Sequence, residues 1–362
     1  MPDFRIAVIP GDGIGTEIMQ VCLETLQVLQ QRHGGFTLDF QQIEAGAAYF
    51  QRTGIDLSDE SFRLTGEADA ILLGAIGLPS IRHQDGTEIS PHLRLRTSYG
   101  LIAGLRPVKV YPNVPIPLGD PRAQEIDLVI VRESTEGLFA SVGKGTVEDD
   151  RIARETLEIT RDVCEPLFDT TFKLARRRKE KGGKGVVTCV DKANVFSAMA
   201  FFRKIFDERA ARNTDIGTDY RYVDAAALDM VRAPWNFDVL VMENMFGDIL
   251  SDLGAGIVGS MGFAPCAELG DEHGLFQPAH GSAPDIAGQG KANPVAMLLS
   301  GAMMLDWLGE KHGVQACTDA ADELSRAVDK VFADGAALTA EFGGSDGTVE
   351  VTQKVIERLG LS

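Results

Sequence analysis

Short apolar runs alternate along this chain with segments of helical period, and that alternation constrains the fold more than any single motif does. Residues 4–9 form an apolar strand pattern that runs into a GDGIG turn at 11–15. Residues 16–32 then place Ile18, Cys22, Leu26 and Leu29 at helical spacing. Further apolar runs stand at 70–73, 128–131, 185–188 and 239–242, each followed by glycine, polar or charged residues. Such alternation implies an α/β architecture whose sheet interior is buried on both faces. At 362 residues there is room for two domains or one large one. Residues 137–151 are charged, glycine-bearing and weakly periodic, and read as an excursion from the body, a small β-arm. Residues 281–294, dense in Gly, Pro and Ala, read as a loop that wraps a ligand with backbone groups.

Charge narrows the range of partners. A net charge of −18 repels phosphate backbones, so a nucleic-acid partner is not expected. The basic run from Lys173 to Lys184 reads as the solvated end of a helix stopped by Gly182 and Gly183. No apolar run approaches the roughly 20 residues of a membrane span, and with residues 1–5 running straight into a strand a signal or transit peptide is not expected. Five scattered cysteines without CxxC spacing fit a reducing, cytoplasmic setting and argue against structural zinc.

The clearest chemistry lies in NMFGDILSD at 244–252, just after the apolar run at 237–242. Asp248 and Asp252 stand four residues apart, which places both carboxylates on one helix face. Two such oxygens suit a hard divalent cation, Mg²⁺ or Mn²⁺. Asp224, in YVDA at 222–225, offers a third carboxylate. Arg96, Arg106 and Arg132 each sit beside an apolar stretch, and three guanidinium forks would suit a di- or tricarboxylate. Lys192, at a strand end in DKAN, could act as a general base near a cation and arginines. The GDGIG turn is spaced GxGxG rather than GxGxxG, so a tight turn explains it without a Rossmann domain.

In joint order these segments resemble the β-decarboxylating dehydrogenases, among them isocitrate, 3-isopropylmalate, homoisocitrate, D-malate and tartrate dehydrogenases. GDGIG at 11–15, LLGAIG at 72–77, the Leu-Arg pairs ending at Arg96 and Arg106, VRESTEG at 131–137, DKAN, YVDA, NMFGDILSD and HGSAPDIAGQGKANP at 280–294 carry the likeness nearly end to end. The resemblance implies that family's two-domain α/β fold with a central mixed sheet. Residues 1–101 with 259–362 would form a large, NAD-binding domain, and 102–258 a small domain for substrate, metal and dimerisation. Arg96, Arg106 and Arg132 would grip substrate carboxylates, with Ser90 and His92 near the C3 substituent. Asp248 and Asp252, with Asp224 of a partner subunit, would hold Mg²⁺ or Mn²⁺. Lys192, also from the partner, would take the C2 hydroxyl proton as hydride leaves for the nicotinamide, so a homodimer with shared sites is implied. Once C2 is a ketone, the C3 carboxylate lies β to a carbonyl, and a cation on that carbonyl lets the electrons released with CO₂ rest in an enolate. Ile14, His280, Gly281, Ala283, Pro284, Asp285, Ile286 and Asn293 would bind the cofactor. Asp285 followed by Ile286 favours NAD over NADP, since a carboxylate accepts from ribose hydroxyls and repels a 2′-phosphate.

Three positions depart from the family pattern. Phe139 stands where a proton-donating tyrosine is usual, so water, Lys192 or a nearby Tyr such as Tyr99 substitutes, the final protonation is slow, the reaction stops at the keto acid, or the change is harmless. His92 falls where an apolar contact for a C3 isopropyl group is expected. An imidazole desolvated against hydrocarbon costs about 1 kcal/mol or more, which favours hydrogen or hydroxyl at C3, hence D-malate or tartrate; the isocitrate enzymes carry Ser and Asn at the positions of Ser90 and His92, so a further carboxylate is a third option. Gln277 replaces a frequent glutamate, with no clear consequence. The expectation is therefore an NAD- and metal-dependent dehydrogenase of a malate with a small or polar C3 group. 3-Isopropylmalate dehydrogenase is the alternative, and a catalytically silent regulatory subunit a remote one.

Overall fold

In the computed structural model, which describes residues 1–361, the chain opens with β1 (Asp3–Gly11), α1 (Gly15–His33), β2 (Thr37–Gln42), α2 (Ala47–Thr53), α3 (Asp59–Glu67), β3 (Ala70–Ala75) and α4 (Pro91–Ser98). There follow β4 (Ala103–Lys109), β5 (Asp127–Glu133), the short strands β6 (Thr146–Glu148) and β7 (Ile152–Arg154), α5 (Arg161–Glu180) and β8 (Val186–Asp191). Next come α6 (Ser197–Ala210), β9 (Gly217–Tyr222), α7 (Val223–Arg232), β10 (Val239–Met242) and α8 (Asn244–Ile257). The chain closes with β11 (Pro265–Leu269), β12 (Gly274–Pro278), α9 (Val295–His312), α10 (Gln315–Ala333) and α11 (Thr348–Ile356).

These elements divide between two units. The first comprises Met1–Leu101, Tyr111–Pro115 and the chain from Gly259 onward; the second comprises Ile102–Val110 and Ile116–Val258. The segment Tyr111–Pro115, expected with the second unit, clusters with the first for a visible reason. The Tyr111 ring packs against Phe263 and Phe332, and Asn113 donates to the Phe332 carbonyl at 2.9 Å.

In the first unit the strand order is β2-β1-β3-β12-β11, parallel except for the β11/β12 pair. In the second it is β4-β5-β10-β8-β9, parallel except for β4/β5. The sheet is therefore mixed, and neither order is the 3-2-1-4-5-6 of a Rossmann sheet. The second unit shows why the strands read as continuous apolar runs. Val129, Val131, Val187, Cys189, Val239 and Val241 face Phe168 and Phe172 of α5 and Phe202 and Phe206 of α6. The alternate residues Leu128, Ile130, Val190, Leu240 and Met242 face Ala226 and Met230 of α7 and Leu250 of α8. A period of two with both faces buried demands apolar residues at every position. Each of those phenylalanines contributes roughly 2–3 kcal/mol by leaving water.

The β-arm differs from its expected span. The hairpin pairs Thr146 with Arg154 and Glu148 with Ile152, beyond the boundary at 151, and a short 3₁₀ turn, Leu138–Ser141, precedes it. The basic run ends α5 as expected, but it is not merely solvated. Arg176 pairs with Asp215, and Arg178 with Asp127 and Asp238.

Candidate active site

In the first unit, the GDGIG turn serves as a dock for the 281–294 loop. Gly13 has φ +55°, and a Cβ there would fall 2.0 Å from the Ser282 carbonyl oxygen, so only glycine fits. The Ile14 amide donates to that same carbonyl at 2.8 Å. Asp12 is buried and structural: its carboxylate accepts from the amides of Ala47, Ala48 and Gly77, each at 2.8 Å. Glu17, in the first turn of α1, accepts from the amides of Gly288 and Gly290. Sequence reading passed over Glu17; an acid in the first turn after the glycine turn was the available signal.

The loop and turn enclose a cavity of about 520 Å³, within the range of small-molecule and cofactor sites. Of the expected cofactor residues, Ile14, His280, Gly281, Ala283, Ile286 and Asn293 line it, while Pro284 and Asp285 are exposed on the same loop without lining it. Ser260, Met261, Lys291 and Glu341 also line it and were not anticipated. The His280 Nδ1–H donates to the Gly281 carbonyl at 2.9 Å. Burial holds the imidazole below its usual pKa, which favours the neutral ring with Nε2 as an acceptor. That Nε2 is buried and has no hydrogen-bond partner. Glu341 Oε1 accepts from Asn293 Nδ2 at 2.9 Å and Ser260 Oγ at 3.1 Å. An apolar cavity with a few fixed acceptors fits the nucleoside part of a dinucleotide.

The arginines are all buried: Arg96 in the last turn of α4, Arg106 on β4 and Arg132 on β5. Arg96 Nη2 forms an ion pair at 2.8 Å with Glu268, which has no solvent exposure. Arg132 donates from Nε and Nη2 to Asn244 Oδ1, at 2.9 and 2.7 Å, and forms an ion pair with Asp248. Gly247 makes this approach possible, since a Cβ there would lie 2.6 Å from the Arg132 Cβ. The Phe139 ring centroid lies 5.2 Å from the Arg132 guanidinium, a cation–π contact. Ser90 caps α4 without a side-chain bond, and His92 follows in the first turn, partly exposed and with a partner of its own.

Helix α8 begins at Glu243, whose carboxylate accepts from the amides of Met245 and Phe246. It presents Asp248 and Asp252 on its exposed face. Desolvation and then the neighbouring Asp248 raise the Asp252 pKa, against the pull of Arg106 and Arg132. Two carboxylates that disfavour each other's charge fit a hard cation, and all the donors are oxygens. Asp224 is not brought to this pair: among the described residues no three His, Cys, Asp or Glu side chains gather around one point. Asp224, in the first turn of α7, instead accepts from Lys192 Nζ at 2.5 Å, and that contact lowers its pKa. Lys192 follows Asp191, which is fully buried and bound by both Nε and Nη2 of Arg203.

Tyr99 is not placed as a substitute proton donor. Its hydroxyl donates to the Phe62 carbonyl at 2.6 Å, and its ring stacks between Phe62 and His273. Gln277 is buried on β12, and only its backbone carbonyl role, accepting from Ser300 Oγ at 2.8 Å, is clear.

Comparison with known proteins accords with this geometry. The isocitrate/isopropylmalate dehydrogenase family model matches residues 5–359. The chain is 41% identical over 356 residues to a 3-isopropylmalate/3-methylmalate dehydrogenase of Methanocaldococcus jannaschii, covering 98% of each chain. It is 38% identical over 370 residues to a 3-isopropylmalate dehydrogenase of Heyndrickxia coagulans, covering 99% of this chain and 97% of that one. A crystal structure of a β-decarboxylating dehydrogenase from Thermococcus kodakarensis superposes with a TM-score of 0.79 at 34% identity, covering 98% and 96%. The chain belongs to the isocitrate/isopropylmalate dehydrogenase family and is an NAD-dependent, decarboxylating hydroxy-acid dehydrogenase.

Proposed function

We propose that the substrate is a malate with a short alkyl group at C3, 3-isopropylmalate or 3-methylmalate. The observation that carries this reading is the pair of relatives bearing those names, 38–41% identical across nearly the whole chain. It displaces the preference for D-malate or tartrate drawn from His92. That preference rested on one side chain, His92, whereas the likeness to these relatives runs through nearly the whole chain. D-malate and tartrate remain the second reading, on the strength of that polar ring.

In this reading Arg96, Arg106 and Arg132 take the substrate carboxylates. Asp248 and Asp252, with Asp224 of a second copy, would hold Mg²⁺ or Mn²⁺, which would supply Lewis-acid chemistry. Ile14, His280, Ala283, Asp285, Ile286 and Asn293 would hold NAD, which would supply the hydride acceptor. Lys192 of the second copy takes the C2 hydroxyl proton. The substrate dianion and NAD⁺ give the 2-oxo monoanion, CO₂ and NADH, the proton removed at C2 being balanced by the one delivered at C3.

A second copy is supported by the surface of the second unit. Val147 and Ile152 of the hairpin, Phe196 beyond Lys192, Leu228 of α7 and Ile249 of α8 are all exposed. Five buried free thiols are in keeping with a reducing, cytoplasmic setting.

The test is to measure NADH and CO₂ together, with Mn²⁺ and NAD⁺, on 3-isopropylmalate, 3-methylmalate, D-malate and the tartrates. Equal NADH and CO₂, with the highest kcat/KM on a C3-alkylated acid, is the expected result. A higher kcat/KM on D-malate or tartrate would restore the second reading. NADH without CO₂ would mean that the Phe139 site no longer completes the second half of the reaction.

A further inference from the structure

Glu268 lies on β11 with no solvent exposure, beside an arginine that is itself almost wholly buried. The ion pair runs from Glu268 Oε1 to Arg96 Nη2 at 2.8 Å, and the Cys266 thiol approaches the same oxygen at 3.5 Å. Yet Glu268 does not satisfy Arg96. The Arg96 Nε–H is buried and has no hydrogen-bond partner. Buried donors are almost always paired, and an orphan on a charged group points to an acceptor that arrives from outside. Arg96 is therefore held on one edge by an internal carboxylate and open on another edge to an anion.

The internal carboxylate alters what that anion meets. A lone buried guanidinium presents a full positive charge; one beside an ionised glutamate presents a charge pair, whose field is weaker and falls off faster. In a desolvated site a difference of one charge is felt over several ångströms. Each additional carboxylate on the ligand gains less from Arg96 and is repelled by Glu268.

We propose that Glu268 is a specificity determinant that sets how much negative charge the substrate site accepts. With Glu268 beside Arg96, the site takes a malate whose C3 group is uncharged and turns away one bearing a third carboxylate. This rests on the reading of Arg96 as a substrate-gripping residue, and it narrows the substrate class to dianions.

Two arms test it. In the first, kcat/KM is measured for 3-isopropylmalate and isocitrate on the wild type, Glu268→Gln and Glu268→Asp. Glu268→Gln should raise the isocitrate-to-isopropylmalate ratio at least tenfold, chiefly through KM for isocitrate. Glu268→Asp, which keeps the charge, should hold the ratio near wild type, and NAD⁺ affinity should not change in either. An unchanged ratio in an active Glu268→Gln enzyme would overturn the proposal.

The second arm needs no variant and no turnover, so it stands if Glu268→Gln does not fold. Calorimetry of the wild type with Mn²⁺ and NAD⁺ should show the dianion glutarate binding at least tenfold more tightly than the trianion tricarballylate. Equal affinities would overturn the proposal. Absence of activity on every C3-alkylated malate, with glutarate still preferred, would count against the functional reading and leave charge selection supported.

Discussion

The cavity of the first unit and the charged residues of the second are built on opposite plans. Every side chain around the cavity, from Ile14 to Glu341, belongs to one unit of one chain. The cavity is walled by backbone turns whose glycines and carbonyls already satisfy one another, as Gly13, Ile14 and Ser282 do. In the second unit the reactive groups sit at element ends and neutralise their neighbours: Lys192 with Asp224, and Arg132 with Asp248. Asp252 is left beside Asp248 with a raised pKa. A site made of shape can be complete in an isolated chain. The charged groups of the second unit rest in internal ion pairs.

The sharpest break between the two regions should come from Lys192→Met. Loss of a general base should lower kcat by roughly a thousandfold, while titration of NAD⁺ binding shows the pocket unaffected. Turnover near wild type would place the base elsewhere.

Asp285→Lys combined with Ile286→Tyr acts on the other region. It should shift the NADP⁺-to-NAD⁺ ratio of kcat/KM by roughly a hundredfold, because a cation at the ribose edge welcomes the 2′-phosphate that a carboxylate repels. Metal affinity should stay constant. A fixed cofactor ratio would show that the exposed position of Asp285 lies outside the readout.

The smallest effect concerns the scaffold behind Arg132. Glu133 is buried and accepts from the amides of Thr135 and Glu136 and the Thr135 hydroxyl. Burial raises its pKa to about 7 from 4.5. The native state thus binds this proton more tightly than the unfolded chain does, so the group's contribution falls as pH rises between these two values. The whole span is on the order of 3 kcal/mol. Urea midpoints at pH 5 and 7.5 should differ less in Glu133→Gln than in the wild type, and equal slopes would assign the pH dependence to other groups.

Much of this was legible in the sequence, for physical reasons that differ by element. Strands buried on both faces must be apolar throughout, so 128–131 and 239–242 announced β5 and β10 almost to the residue. The i, i+4 spacing of Asp248 and Asp252 set both on one face of α8 without further information. What stayed hidden was interaction between distant segments. Glu341 and Glu17 reach the 281–294 loop from about 48 and 271 residues away, and no local pattern encodes such a contact. Nothing around Glu268 in the sequence pointed to its partner on α4. His92 pointed to a smaller C3 group than the relatives do, because one residue type was weighed without the likeness that runs through nearly the whole chain.

The most direct test of the composite charged site is to mix two inactive variants, Lys192→Met and Asp252→Asn, under conditions that allow subunits to exchange. If Lys192 of one copy serves the carboxylate pair of another, a mixed dimer carries one doubly defective site and one intact site. Random exchange should then restore roughly a quarter of wild-type activity. Activity that stays at the level of the separate variants, with subunit exchange verified, would contradict the shared site and require each chain to complete its own.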